Sequence, residues 1–172
     1  MALLRWRVGF FVLFLVCVGM MAFALYHQFY QWLMPCLLCV YERLIVIALG
    51  LLSLLAVLWR PSTRRGVMIF SSVYALVALW GAAITVWHLL LQFGPKESGI
   101  SCAASLPFPI DLNALPGWIS AVIRPVGDCS VADFTLFGMS MPFWLLVAFI
   151  GFLLLLSMLA RTRLVEIRRR GL

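Results

Sequence analysis

Four long apolar runs constrain this chain more than any other feature. They cover about residues 8–30, 37–59, 67–91 and 142–160 of 172. Each is close to the roughly 20 helical residues that cross a hydrocarbon core of about 30 Å. Backbone amides and carbonyls cannot stay unpaired in lipid, so a crossing segment is a helix or a strand of a closed barrel. The runs show no period-2 alternation, which argues against barrel strands. Proline placement agrees with helices. Pro35, Pro61 and Pro142 stand at run edges, and Pro95, Pro107, Pro109, Pro116 and Pro125 fall between the third and fourth runs, where no helical hydrogen bond is lost. The expected fold class is an all-α membrane protein. It is a single four-transmembrane-helix bundle over 1–172, with a short first outer loop around 31–36 and a long second outer loop at about 92–141.

Composition supports this. The chain is 65% hydrophobic and 11% charged, whereas a soluble domain is nearer half apolar and a quarter charged. The net charge of +7 does not point to nucleic acid, because the arginines form short clusters between apolar runs. Arg5, Arg7, Arg60, Arg64, Arg65, Arg161, Arg163, Arg168, Arg169 and Arg170 account for ten of the thirteen basic residues and all fall on one side of the expected bundle. By the positive-inside rule that side is the cytoplasm, and both termini lie there. Arg5, Arg7 and the "AFA" at 22–24 imitate a secretory leader, but the apolar run continues past them, which favours a retained helix.

Of the five cysteines, Cys17 lies within the first run and reads as a small apolar filler. Cys36, Cys39, Cys102 and Cys129 all map to the outer face. Four cysteines facing an oxidising compartment, which in a bacterium is the periplasm, read as two disulfides. Cys36 and Cys39 form a C-x-x-C directly after Pro35, in "MPCLLCVYER" at 34–43. A proline followed by an apolar run marks a helix start, so the pair is expected in the first turn of the second span. There the helix dipole favours thiolate over thiol. Cys102 and Cys129 enclose 26 residues, and a bridge between them would be a water-accessible loop disulfide.

Arg43 lies on the same helical face, about 40° from Cys39 and about 20° from Cys36, and roughly 6 Å deeper than Cys39. An arginine just inside an apolar span is a functional-site hypothesis by default. Glu42 is expected to neutralise it in part. His88 lies about one turn from the outer end of the third span, at a comparable depth. Two hydrogen-bond donors near a C-x-x-C suit a lipid-soluble acceptor with carbonyl oxygens, and a quinone fits. Three rivals stand beside this reading: a quinone/thiol oxidoreductase resembling vitamin K epoxide reductases, a non-enzymatic scaffold with structural disulfides, and a metal-binding protein. The 26-residue gap and the apolar setting argue against a four-cysteine zinc knuckle, and no metal is assigned.

"PCLLCVYER", His88, a later loop cysteine, "GDC" at 127–129 and "FGMSMPFWLL" at 137–146 together resemble the DsbB family of bacterial inner-membrane, quinone-dependent thiol oxidases. The likeness covers nearly the whole chain in order. It implies that a reduced periplasmic DsbA-like, thioredoxin-fold protein attacks a loop disulfide at Cys102 and that Cys129 leaves as thiolate. Electrons then reach Cys36 and Cys39, and through them a membrane quinone, with ubiquinone favoured over menaquinone. Cys39 would be the sulfur nearest the ring, with Arg43 stabilising the thiolate–quinone charge. Glu42, Ile84, His88, Met141 and Trp144 would complete the cofactor-binding residues. The stretch "SGISCAASLPFP" around Cys102 departs from the family's docking segment, which bears on the partner's identity. "LPGWISAVI" at 115–123 is expected to lie on the outer membrane surface as a short helix.

Overall fold

The computed structural model describes residues 2–32, 35–59, 61–93, 116–117 and 135–169. Among these residues four long helices carry the fold: α1 (Ala2–Tyr30), α2 (Leu37–Leu58), α3 (Arg64–Phe93) and α4 (Met141–Arg169). All four are long and apolar enough to cross a membrane. The shortest, α2, has 22 residues, a length of about 33 Å. Cys102, Cys129 and most of the expected surface helix at 115–123 lie outside the described residues.

Three of these helices outrun their apolar runs. Helix α4 continues beyond 160 through Thr162, Arg163 and Glu166 to Arg169, and α1 begins at Ala2, ahead of Arg5 and Arg7. Apolarity marks what lipid must cover. Arginine and glutamate are good helix formers, so the backbone stays helical after the hydrocarbon ends.

The connections make the helices alternate in direction. The start of α1 meets the end of α2, where Trp6 Nε1 donates to the Ala56 carbonyl at 3.1 Å. The start of α2 meets the end of α3, where Glu42 faces His88. The cysteines therefore share one end of the bundle with His88, and the arginine clusters share the other. Trp6, Phe10, Phe70 and Tyr74 pack at the arginine end, with Phe10 edge-on to both Phe70 and Tyr74 at 5.6 Å. The one hydroxyl in that aromatic group is paired, Tyr74 with Ser53 at 3.1 Å. Cys17 is buried in the same apolar core. Outward-facing residues such as Leu51, Ile69, Leu76, Trp80 and Leu154 are exposed, as a lipid-facing surface requires.

Helices α2, α3 and α4 come together closely at Gly81. A Cβ there would stand 2.6 Å from Phe149 and 2.8 Å from Ile45, so only glycine lets these helices approach this closely. Just before α4, β1 (Thr135–Leu136) and β2 (Met139–Ser140) pair as an antiparallel hairpin. Its two turn residues, Phe137 and Gly138, both have positive φ, 53° and 79°, the pattern of a tight hairpin turn whose twist matches its strands.

Candidate redox site

The start of α2 is capped by Cys36 itself. Its backbone is extended, with φ −79° and ψ 171°, and its sulfur accepts the Cys39 backbone N–H at 3.3 Å. A side chain at the cap accepting from the third helical residue is the spacing of a capping box, and it is also the spacing of a C-x-x-C. One local geometry thus caps the helix and brings the sulfurs together, at 2.9 Å. Pro35 stands ahead of the cap rather than at the first helical position. The expected first-turn placement holds for Cys39, with Cys36 at its boundary.

Cys36, just outside the membrane-spanning helix, has its thiol held below the ordinary range. Hydrogen bonding to the Cys39 thiol is the largest cause; burial opposes it, and the N–H groups of Cys39 and Leu38 assist. Cys36 is buried, whereas Cys39 is only half-buried.

His88 arrives from α3 with its Nε2 3.7 Å from Cys36 Sγ. Its Nδ1 is 3.0 Å from Glu42 Oε1. His88 and Glu42 are 1% and 5% exposed, so neither can exchange its partner for water. With Nδ1–H donating to the carboxylate, Nε2 keeps its lone pair toward the sulfur. Gln92 Nε2, 3.4 Å away, also donates toward that lone pair, and the tautomer follows from this network. Glu42 reaches Arg43 through its field, in keeping with partial neutralisation, while its hydrogen bond goes across to α3. The guanidinium of Arg43 instead donates to Gln28 of α1, while staying close enough to interact electrostatically with both sulfurs.

Cys36, Cys39, Glu42, Arg43 and His88 are therefore gathered from two helices into one site. Ile84 lies beside it on α3, in a shallow apolar groove of about 190 Å³ lined also by Leu38, Trp80, Ala83 and Trp87. Met141 opens α4 half-buried, and Trp144 packs edge-on to Phe137 and Phe143. Sequence reasoning missed Gln28 and Gln92. Gln92 had a signal, four residues after His88 on one helix face. Gln28 had none, because its contact with Arg43 joins residues 15 positions apart on different helices.

Such an arrangement can form and open a disulfide, hold a proton at His88 Nε2, and keep a cation near the resulting thiolate. Comparison with known proteins agrees. The profile of the family described as "Disulfide bond formation protein DsbB" matches residues 6–159. The chain is 35% identical over 145 residues to a protein named Disulfide bond formation protein B from Methylococcus capsulatus, covering 84% of this chain and 88% of that one. It is 34% identical to the protein of that name from Chromobacterium violaceum, covering 84% and 87%. It is 32% identical over 154 residues to the one from Methylobacillus flagellatus, covering 90% and 92%. A match of this extent, reaching all four helices, places the chain in the DsbB family.

Proposed function

We propose that this protein is a protein-dithiol:quinone oxidoreductase of the bacterial inner membrane. It reoxidises a periplasmic DsbA-like, thioredoxin-fold protein and so sustains disulfide formation. The observation that carries the reading is the Cys36–Cys39 dithiol at the cap of α2, set against a buried Glu42–His88 pair with Arg43 in electrostatic reach. The bundle is oriented with its cysteine end to the periplasm and its arginine clusters to the cytoplasm.

The partner's thiolate attacks Cys102 of a loop disulfide, forming a mixed disulfide and releasing the Cys129 thiolate. The partner then closes its own disulfide and frees Cys102, and the Cys102–Cys129 dithiol re-forms its bridge by exchange with the Cys36–Cys39 disulfide, which takes the two electrons and opens to a dithiol. His88 Nε2 is placed to take the Cys36 proton, and Glu42 balances the imidazolium that forms. Arg43 stabilises negative charge on Cys39, the more open of the two sulfurs. A quinone fits the residues present: the groove of Leu38, Trp80, Ala83, Ile84 and Trp87 offers apolar walls to a ring and tail. Arg43 and His88 are proposed to serve the quinone's carbonyl oxygens, and Met141 and Trp144 to close the site. When bound, the quinone, ubiquinone in preference to menaquinone, supplies a two-electron, two-proton acceptor.

The test is oxidised-quinone absorbance in detergent, with a reduced thioredoxin-fold partner added. Loss of signal with the wild type, and with neither Cys39→Ser nor Cys102→Ser, is expected. No loss from a protein whose disulfides are shown intact would refute the reading.

A further inference from the structure

Cys36 Sγ, Cys39 Sγ and a ring nitrogen of His88 all lie within 4.8 Å of one another. Two thiolates and an imidazole are the donors that select zinc-class ions. Ideal tetrahedral coordination sets sulfurs about 3.8 Å apart and sulfur and nitrogen about 3.5 Å apart. Cys36 Sγ and His88 Nε2 are already 3.7 Å apart. The sulfurs are 2.9 Å apart, so Cys39, the half-buried one, must draw back by about 1 Å. The histidine is also held as metal-ligating histidines are. Its Nδ1 is fixed on the Glu42 carboxylate at 3.0 Å, which sets the ring and turns Nε2 to the sulfurs. Charge favours a dication as well. Two thiolates and Glu42 carry three negative charges in a buried place, and Arg43 brings one positive. An ion of charge two makes the group neutral.

We propose that the reduced protein binds one zinc-class dication through Cys36, Cys39 and His88, and that this ion and the Cys36–Cys39 disulfide exclude each other. On binding, two thiols lose protons to solvent, two sulfur–metal bonds and one nitrogen–metal bond form, and water takes the fourth position. No electron moves. In the oxidised protein the sulfurs are joined and offer no thiolates, so the site exists only in the reduced state. It is not the place of a resident metal. An ion held there keeps the pair reduced and blocks its reoxidation; that last consequence rests on the proposed function, whereas binding requires only the dithiol.

Co²⁺ is the probe, because its thiolate complexes absorb. The full chain carrying Cys102→Ser and Cys129→Ser is reduced, freed of reductant and titrated with Co²⁺ under argon. Expected are one Co²⁺ per chain, a thiolate-to-metal charge-transfer band, the visible bands of a four-coordinate ion, and displacement by Zn²⁺. The oxidised form of the same protein shows none of these. His88→Gln weakens binding at least tenfold and alters the visible bands, and Glu42→Gln weakens it about tenfold. The proposal is overturned if reduced protein with its thiols shown free binds no Co²⁺. It is equally overturned if the oxidised form or His88→Gln binds with unchanged strength and spectrum. Comparing two redox states of one chain needs no substitution at the site, so a misfolded variant cannot decide the result. None of these readouts is turnover, so failure of this proposal and failure of the proposed function are distinguishable.

Discussion

Both ends of the bundle bury an ionic group beside a helix terminus, and at one of them the group adjoins two sulfurs. At the arginine end, Arg163 of α4 is 7% exposed. Its Nε and Nη2 donate to the Pro61 carbonyl at 3.2 and 2.8 Å, and its Nη1 pairs with Glu166. Trp6 closes on the Ala56 carbonyl beside it. These contacts tie the link after α2 to α4 and are complete as they stand. At the cysteine end, Glu42, Arg43 and His88 surround two sulfurs, of which one is half-buried. Buried polar atoms without a hydrogen-bond partner among the described residues occur toward both ends, Arg7 Nε at one and Gln92 Oε1 at the other, so these do not separate the two. A buried charge therefore does not by itself mark a site. Chemistry needs a reactive atom whose bonding is unfinished and that something can reach.

The largest effect expected from this contrast is at Cys36. Cys36→Ser should lower partner oxidation by more than about a thousandfold, with thermal unfolding in detergent little changed. Arg163→Leu should do the reverse. It removes charged hydrogen bonds to a backbone carbonyl, worth about 2–3 kcal/mol, and leaves turnover per folded molecule as in the wild type. Denaturant unfolding alongside turnover checks both, and an Arg163 variant of normal stability but poor turnover would break the comparison.

Arg43→Ala should weaken apparent quinone affinity about tenfold, or about 1.4 kcal/mol, with the KM for the partner protein unchanged. An unchanged quinone affinity would remove Arg43 from the acceptor's side of the site. The pH dependence of the sulfurs gives a finer test. In reduced protein lacking Cys102 and Cys129, the first rise in ultraviolet thiolate absorbance should come from Cys36 and fall below the ordinary thiol range. A lowered pKa populates thiolate earlier as pH rises, so this step should move to higher pH in Cys39→Ala, where its largest cause is gone. A first step already in the ordinary range would contradict the hydrogen bond as its cause. The smallest effect belongs to the arginine end: Trp6→Phe removes one buried hydrogen bond, costs about 1 kcal/mol and leaves thiolate titration and turnover untouched.

Much of the site was legible in the residues. Cys36 and Cys39 declared themselves by spacing. Arg43 followed from helical geometry, because positions four apart on one helix meet whatever surrounds them. His88 was placed by counting from a helix end. Glu42 was assigned to its neighbour Arg43 by proximity in the chain, and its field does reach Arg43. Its hydrogen-bond partner stands 46 residues away on α3, and no local rule reaches that far. The same limit hid Gln28.

Lipid explains why the sequence by itself determined so much here. A hydrocarbon solvent leaves a backbone only the choice of helix or barrel, so four apolar runs sufficed for helix number, rough limits and the side carrying the arginines. It could not say which faces meet, because lipid tails and apolar side chains attract each other about equally. That was decided by tertiary contacts. Gly81 sets how closely α2, α3 and α4 approach, and the resulting packing turns His88 toward Glu42 and the sulfurs. Through-space distances of a few ångströms between separate helices, which no sequence spacing encodes, convert two cysteines into a site.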